Sequence, residues 1–294
     1  TAYEIASCLV GSEMCIRDSA YSGYTSGAKV STTKANFEMM KKYILSIVTL
    51  ICLSLNAQIT SYHLVYVKSE DQAKFEEVEK KYHSKLVQNA VKEGDIQYWC
   101  LEKIIYPAGI SGGRSNMPGM GNVYQFVQVH KDIEAYIDQL SNPWWSDAAK
   151  KLKVKIEDVS WPSDIEQIGI YVWKIQDSAW EGMGDKRPKF SLYNFGVSLD
   201  PQKFLDAQAP WKQQFINQMK NNEAGRAGWS SGTRIMPNNG GEHNVFTWDG
   251  FTTLGDVFRA LSGNIMNLKN TEENWAMSNG FDLRFIAEKI VETN

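Results

Sequence analysis

The chain has 294 residues, a formal net charge of −3 and an aromatic content of 12% that includes ten tryptophans. A mildly acidic chain without a basic block argues against nucleic acid as the main partner. Three of the four cysteines precede residue 58, which leaves Cys100 alone in the remainder, so no internal disulfide is expected there.

The front of the chain has the layout of a cleavable export signal over residues 39–57. Two lysines follow Met39 and Met40, and residues 43–55 form an apolar run of 13 residues that ends before Asn56 and Ala57. This run is shorter than the ~20 residues that span a bilayer. We therefore predict an exported protein, periplasmic or extracellular, which begins near Gln58 and keeps no stable membrane span. Residues 1–38 resemble translated sequencing-adapter sequence, which predicts a non-native leader.

A first structural unit is predicted over residues 58–180. Residues 62–67 are rich in β-branched and aromatic residues, which is typical of a strand. A helix is predicted to follow as far as residue 91 and to end at Gly94, because its apolar residues recur on one face: Phe75, Val78, Tyr82, Leu86 and Ala90. Further strands are predicted over 96–106, 122–126 and 169–175, with a second helix over 132–140.

A second unit is predicted over residues 188–294, after a Gly- and Pro-containing linker at 178–189. Its strand over 192–197 and its helix from Pro201 repeat the first unit, including an apolar stripe of Phe204, Ala207, Trp211, Phe215 and Met219. Trp99 and Trp229 then match at an offset of 130 residues, as do Pro107 and Pro237. These matches indicate a tandem duplication of a ferredoxin-like β-α-β-β-α-β unit, and hence an α+β fold.

The long first helix, the Trp-bearing second strand and the aromatic third strand resemble the dimeric α+β barrel superfamily across residues 58–294. The resemblance implies that two such units pack sheet against sheet around one barrel, here within a single chain. Members of that superfamily include cofactor-free monooxygenases, haem-degrading and haem-dependent enzymes, lactone isomerases and proteins without an assigned role. Because fold does not determine function, the resemblance selects no reaction.

His63 and His83 are the candidate catalytic residues. The four histidines share no metal-binding spacing, so no metal site is predicted. One histidine could still act as a base or ligate haem iron. His83 borders the apolar stripe of the first helix, one turn after Glu79. The alternative to a functional role is an ordinary surface contact between the Glu79 and His83 side chains. His63 could point into the barrel. The sequence predicts no cofactor, and haem is the alternative that it does not exclude.

Trp99, Trp229 and Tyr66 are the candidate ligand-binding residues. The two tryptophans occupy equivalent strand positions, where they either pack under the helices or line the barrel interior. Packing under the helices is the ordinary position for such large aromatic residues; the hypothesis that makes them ligand-binding is the interior, because the helix stripes already supply apolar residues to the outer face. Cys100 is expected to be an inert buried thiol.

Two further features lie outside the repeated pattern. The glycine-rich loop 109–121 and its counterpart 238–243 are interpreted as hairpin tips, with a ligand-covering flap as the alternative. An insertion in the first unit carries three tryptophans that could cover a sheet edge or close a barrel mouth: Trp144, Trp145 and Trp161.

The favoured function is binding, with or without chemical transformation, of a small apolar or aromatic molecule. The alternatives are a cofactor-free monooxygenase or haem-linked enzyme, and a non-catalytic structural or interaction module with a filled barrel. The sequence specifies neither a reaction nor an oligomeric state.

Overall fold

A computed structural model describes residues 58–107, 122–180, 186–237, 243–262 and 278–293. The predicted leader and export signal lie outside the described residues, as do the loop 109–121 and all of 238–243 except His243.

The first half of the described chain begins with strand β1 (Ile59–Tyr66) and helix α1, which runs over residues 72–93. The left-handed backbone of Gly94 ends α1, as predicted, because glycine adopts positive φ without a steric cost. The remaining elements are β2 (Tyr98–Pro107), β3 (Val123–His130), α2 (Ile133–Ser141), α3 (Ala148–Leu152), α4 (Ile156–Val159) and β4 (Glu166–Ser178).

The second half follows the same alternation of strands and long helices. Its elements are β5 (Phe190–Ser198), α5 (Pro201–Lys220), β6 (Arg226–Met236), β7 (Val245–Phe251), α6 (Leu254–Leu261) and β8 (Ser278–Glu292). The short helices α3 and α4 lie in the segment between α2 and β4; the corresponding segment of the second half, 263–277, lies outside the described residues.

The eight strands close into one antiparallel barrel in the order β1-β3-β2-β8-β5-β7-β6-β4, and β4 pairs with β1. The pairs β2–β8 and β4–β6 join the two halves, and each half supplies four neighbouring strands. The fold is therefore α+β with a closed eight-stranded antiparallel barrel, as the α+β prediction required.

Strand β3 is buried on both faces of the barrel wall. Every residue of β3 is buried, although strand side chains alternate between the two faces. The inner face carries a cluster rich in aromatic rings, among them Tyr62, Trp173, Tyr193 and Phe246. The long helices cover the outer face: α1 packs against Trp99 and Tyr124, and α5 packs against Trp229.

None of the helices in the described ranges is long and apolar enough to cross a membrane.

Candidate functional site

A cavity of about 650 Å³ lies between α1, the outer face of strands β1 to β3, and the segment 144–161. We call it the aromatic cleft. Its wall combines five large aromatic rings with two histidines, and its principal lining residues are His63, Glu79, His83, Trp99, Phe126, Gln128, Trp144, Trp145 and Trp161. The volume is in the range of pockets that bind small molecules.

Helix α1 changes geometry where it borders the aromatic cleft. It is α-helical over Gln72–Val78, forms a π-helix over Glu79–His83, and is α-helical again over Ser84–Glu93. Such π-segments are rare and occur frequently at functional sites, because the wider turn redirects side chains. The segment begins at Glu79 and ends at His83, and both side chains reach the cleft.

Glu79 joins His83 to the tryptophan of the insertion. Glu79 Oε1 lies 2.7 Å from His83 Nδ1 and accepts a hydrogen bond of 2.5 Å from Trp161 Nε1. Only 1% of the Glu79 side chain and 12% of the His83 side chain are exposed. The pair is therefore buried, and the alternative of an ordinary surface contact is wrong. The other imidazole nitrogen of His83 is left available to a bound molecule.

The indole of Trp161 also packs into the wall of the cleft. Its ring stacks on Phe126 with centroids 5.5 Å apart and an interplanar angle of 16°, and lies 6.1 Å from the His83 ring. Trp144 meets Trp99 edge to face at 6.3 Å. The insertion therefore covers the outer face of the sheet beside α1, rather than the mouth of the barrel.

Several polar atoms buried in the cleft wall have no hydrogen-bond partner among the described residues. They are Glu79 Oε2, Trp99 Nε1 and His63 Nε2. Leaving a buried polar atom unpaired costs about 1–3 kcal/mol, so such atoms call for a partner. They are an acceptor, a donor and an imidazole nitrogen, and the three residues that carry them line the aromatic cleft.

The expectation that Trp99 and Trp229 line the barrel interior is wrong. Cys100 and Glu102 face the interior, so strand alternation turns Trp99 outward, beneath α1. Ser230 lines the interior in the same way, and Trp229 packs beneath α5 against Phe215. Trp99 still lines the aromatic cleft, whereas Trp229 belongs to the helix–sheet core of the second half.

His63 also faces outward, contrary to the expectation that it could point into the barrel. Its neighbours Tyr62 and Leu64 belong to the interior cluster, so His63 lies on the opposite face and lines the aromatic cleft. Burial lowers the pKa of His63 to about 4. The imidazole is therefore neutral at neutral pH and can either donate or accept a hydrogen bond.

His130 lies on the same face of the sheet, completely buried. Burial, with a smaller contribution from His63, lowers the pKa of His130 to about 4, and neither ring nitrogen has a partner in the described structure. The described ranges contain no group of three His, Cys, Asp or Glu side chains placed to hold a metal ion.

The buried His130 predicts a loss of stability in mild acid. Its pKa rises from about 4 in the fold to about 6.5 on unfolding, so the unfolded chain binds the proton more tightly. The stabilisation is present above pH 6.5 and is lost as the pH falls toward 4. Between pH 7 and pH 5 we expect a loss of about 2 kcal/mol from this group, measured by urea unfolding.

His130→Phe provides the comparison, because phenylalanine keeps a ring against Tyr136, whose centroid lies 5.3 Å away, and does not titrate. The difference in unfolding free energy between this variant and the native protein should change by about 2 kcal/mol over that interval. A difference that is the same at both pH values would contradict a neutral, buried His130.

Tyr66 and Cys100 both face the barrel interior. Tyr66 packs against the interior cluster at the end of β1, and its hydroxyl accepts a hydrogen bond of 3.2 Å from Asn122 Nδ2. Cys100 is a buried free thiol, and burial raises its pKa well above the usual value, with a further contribution from Glu102. The candidate residues are thus divided: His63, His83 and Trp99 meet in the aromatic cleft, whereas Tyr66 and Trp229 lie elsewhere.

The chain matches no known protein family and no curated protein sequence. Solved structures of similar fold include a candidate monooxygenase from Fusobacterium nucleatum, 12% identical over 82% of this chain and 95% of that one, with a TM-score of 0.45. An anthrone oxidase-like protein is 10% identical over 81% and 94%, with a TM-score of 0.43. A variant of chlorite dismutase from Candidatus Nitrospira defluvii is 9% identical over 79% and 92%, with a TM-score of 0.41. These similarities concern the fold and identify no reaction for this chain.

Proposed function

We propose that the protein binds a small planar aromatic molecule in the aromatic cleft. The observation that carries this proposal is the set of unpartnered polar atoms within an aromatic wall: Glu79 Oε2, Trp99 Nε1 and His63 Nε2. A ligand with an aromatic body and a polar edge would pack against the rings and satisfy these atoms. Such a combination of apolar wall and few polar groups is typical of small-molecule sites.

The His83–Glu79 pair allows chemistry on such a ligand. A carboxylate bonded to one imidazole nitrogen fixes the orientation of the ring and leaves the other nitrogen to act on the ligand. His83 could then remove a proton from a bound hydroxyl or an acidic carbon, provided that the proton lies within hydrogen-bonding distance. This arrangement supports a cofactor-free enzyme as well as a binding protein.

Haem is the second candidate ligand, and the same pair supports it. Histidines that ligate a metal commonly donate their other N–H to a carboxylate, and the 2.7 Å contact between His83 Nδ1 and Glu79 Oε1 provides this arrangement. His83 would hold the iron, and the rings of Trp99 and Phe126 would contact the macrocycle. A bound haem would supply one-electron and oxygen chemistry.

We also propose that the fold arose by tandem duplication and that the protein is exported. The shared order of strands and helices, the equivalent joints β2–β8 and β4–β6, and the matched residues Trp99 and Trp229 support duplication. The positive segment and short apolar run of residues 39–57 support export to the periplasm or the medium.

Binding in the aromatic cleft is tested with 2-naphthol, a planar aromatic probe with one hydroxyl group. Titration should quench the tryptophan fluorescence and raise the melting temperature, because a ligand of the native state stabilises it. Trp161→Ala removes the ring stacked on Phe126 and should raise the Kd about tenfold, a loss of about 1.4 kcal/mol. Trp211→Ala, on helix α5 beyond the cleft lining, is the matched control and should leave the Kd unchanged.

Haemin is the second probe in the same experiment. If haem is the ligand, the protein should shift and sharpen the Soret band of haemin, and His83→Ala should abolish this change, whereas the affinity for 2-naphthol changes little in that variant. Equal affinity for 2-naphthol in the native, Trp161→Ala and Trp211→Ala proteins would reject the cleft as the binding site. A haemin spectrum that is the same in the native protein and in His83→Ala would reject haem as the ligand. It would not affect the proposal of an aromatic ligand.

A further inference from the structure

A second cavity, of about 450 Å³, occupies one end of the barrel interior, on the opposite face of the sheet from the aromatic cleft. We call it the barrel cavity. Its floor is formed by the buried residues Tyr62, Cys100, Glu102 and Tyr193, and its rim includes exposed Arg187. Because the cavity has a buried polar floor and an accessible rim, a small molecule could enter it.

Glu102 is the central polar group of the floor, and only 1% of the residue is exposed. Its two carboxyl oxygens each accept a hydrogen bond of 2.6 Å, one from Ser191 Oγ and one from Tyr193 OH. Among the described residues no lysine or arginine forms an ion pair with it. Burial raises the pKa of the Glu102 carboxyl, although the two hydroxyl donors and the charge of Lys289, its neighbour on β8, act to lower it.

The ammonium group in the wall is already paired with a different carboxylate. Lys289 Nζ lies 2.7 Å from Glu292 Oε2, which also accepts a hydrogen bond of 2.8 Å from Tyr98 OH. The cavity wall therefore holds two carboxyl groups and one ammonium group, and Arg187 lies on the exposed rim. Because the ammonium group of Lys289 is paired with Glu292, a cationic ligand would give Glu102 an ion pair of its own.

Aromatic rings surround the Glu102 carboxyl. Tyr62 and Tyr193 meet edge to face at 5.4 Å on the floor, and Trp248 lines the wall toward the rim. The faces of such rings attract ammonium groups. The protein already uses this attraction once in the same cavity, because Lys289 Nζ lies 5.7 Å from the centroid of the Tyr98 ring.

We propose that the barrel cavity is a second binding site, for a small organic ammonium ion whose charge pairs with Glu102 and whose body packs against Tyr62, Tyr193 and Trp248. The site is separate from the aromatic cleft and does not depend on the function proposed there. An anion would be repelled by the two carboxyl groups. A neutral molecule of the same shape would gain the packing and lose the ion pair.

The test compares three ligands of one shape by isothermal titration calorimetry: benzylamine, benzyl alcohol and benzoate. Benzylamine should bind to the native protein at least about tenfold more tightly than benzyl alcohol, and benzoate should not bind. Glu102→Gln keeps an acceptor for one hydroxyl and removes the charge, so it should remove this preference and leave benzyl alcohol unchanged. Glu77→Gln, a carboxylate on the outside of α1 with 55% of its side chain exposed, is the matched control and should behave as the native protein.

Trp161→Ala separates the two sites, because it changes the aromatic cleft and should leave benzylamine binding intact. Benzylamine binding that is lost in Trp161→Ala and kept in Glu102→Gln would overturn the proposal. The native protein alone gives an independent answer if Glu102→Gln does not fold: equal affinity for benzylamine and benzyl alcohol would overturn the proposal without any variant.

Discussion

Replacing Gly232 with alanine is expected to lower the free energy of unfolding by about 3 kcal/mol, the upper part of the range for forcing an extra carbon into a packed core. Gly232 lies in β6 between Ile175 of β4 and Phe246 of β7. An added Cβ would lie 2.2 Å from the backbone oxygen of Lys174 and 2.6 Å from the Phe246 ring. The oxygen belongs to the neighbouring strand, so relief requires a shift of β4 against β6. This is one of the two joints that close the barrel between the halves.

The measurement is urea unfolding followed by tryptophan fluorescence, with Gly255→Ala as the matched control. Gly255 is exposed on helix α6, and an added Cβ there would meet its nearest atom, Arg259 Nη1, at 3.4 Å, an ordinary contact. Alanine in a helix restricts the unfolded chain, so the control should be unchanged or more stable by up to about 1 kcal/mol. Equal stability of the two variants would mean that the β4–β6 joint tolerates the extra carbon and is looser than the structure describes.

The helices were predictable because one face of each meets the sheet and the other meets solvent. The stripe of α1 includes Phe75, Leu86 and Ala90, all buried, and the stripe of α5 includes Phe204 and Phe215, also buried. The helical period identifies the buried face directly when only one face is apolar. The order of strands and helices was predictable because the helical period of the apolar residues distinguishes these segments from the strands.

Which face of a strand points into the barrel was not predictable where the wall is buried on both sides, as in β2 and β3. Alternation fixes that Trp99 and Cys100 point to opposite faces, but it does not specify which face is the interior. Where one face meets solvent, polar residues identify it. Here Trp99 on the outer face is buried as well as Cys100 on the inner face, so the usual signal is missing. The orientations expected for Trp99, Trp229 and His63 were wrong.

The aromatic cleft was only partly predictable. His83, Glu79 and the tryptophans of the insertion were visible in the sequence, but the contact between Glu79 and Trp161 spans 82 residues and has no local signature. The π-helix over Glu79–His83 was also missed, since the sequence there continues an ordinary helical stripe. The signal in the sequence was the insertion itself, which carries three tryptophans outside the repeated pattern.

Breaking the buried ion pair of the second half is the other change with a large expected effect. Arg226 and Asp249 are 2% and 6% exposed, and the Arg226 guanidinium forms an ion pair with Asp249 Oδ1. Arg226 Nε also donates to Gln218 Oε1 at 3.2 Å, and the guanidinium lies 3.9 Å from the centroid of the Phe215 ring. Both charges are thus held between β6, β7 and α5, away from water.

Asp249→Ala should cost about 3–5 kcal/mol of unfolding free energy, because it leaves the guanidinium buried without its carboxylate. The double variant Arg226→Met with Asp249→Leu replaces both charges with apolar side chains and should recover most of this loss. The cost of desolvating two charges largely offsets their attraction, so an apolar pair of similar volume can replace them. A double-mutant cycle on chemical denaturation measures the coupling directly. A double variant that is no more stable than Asp249→Ala would contradict this expectation. It would show that the ion pair itself is required for packing beneath α5 and that apolar side chains cannot replace it.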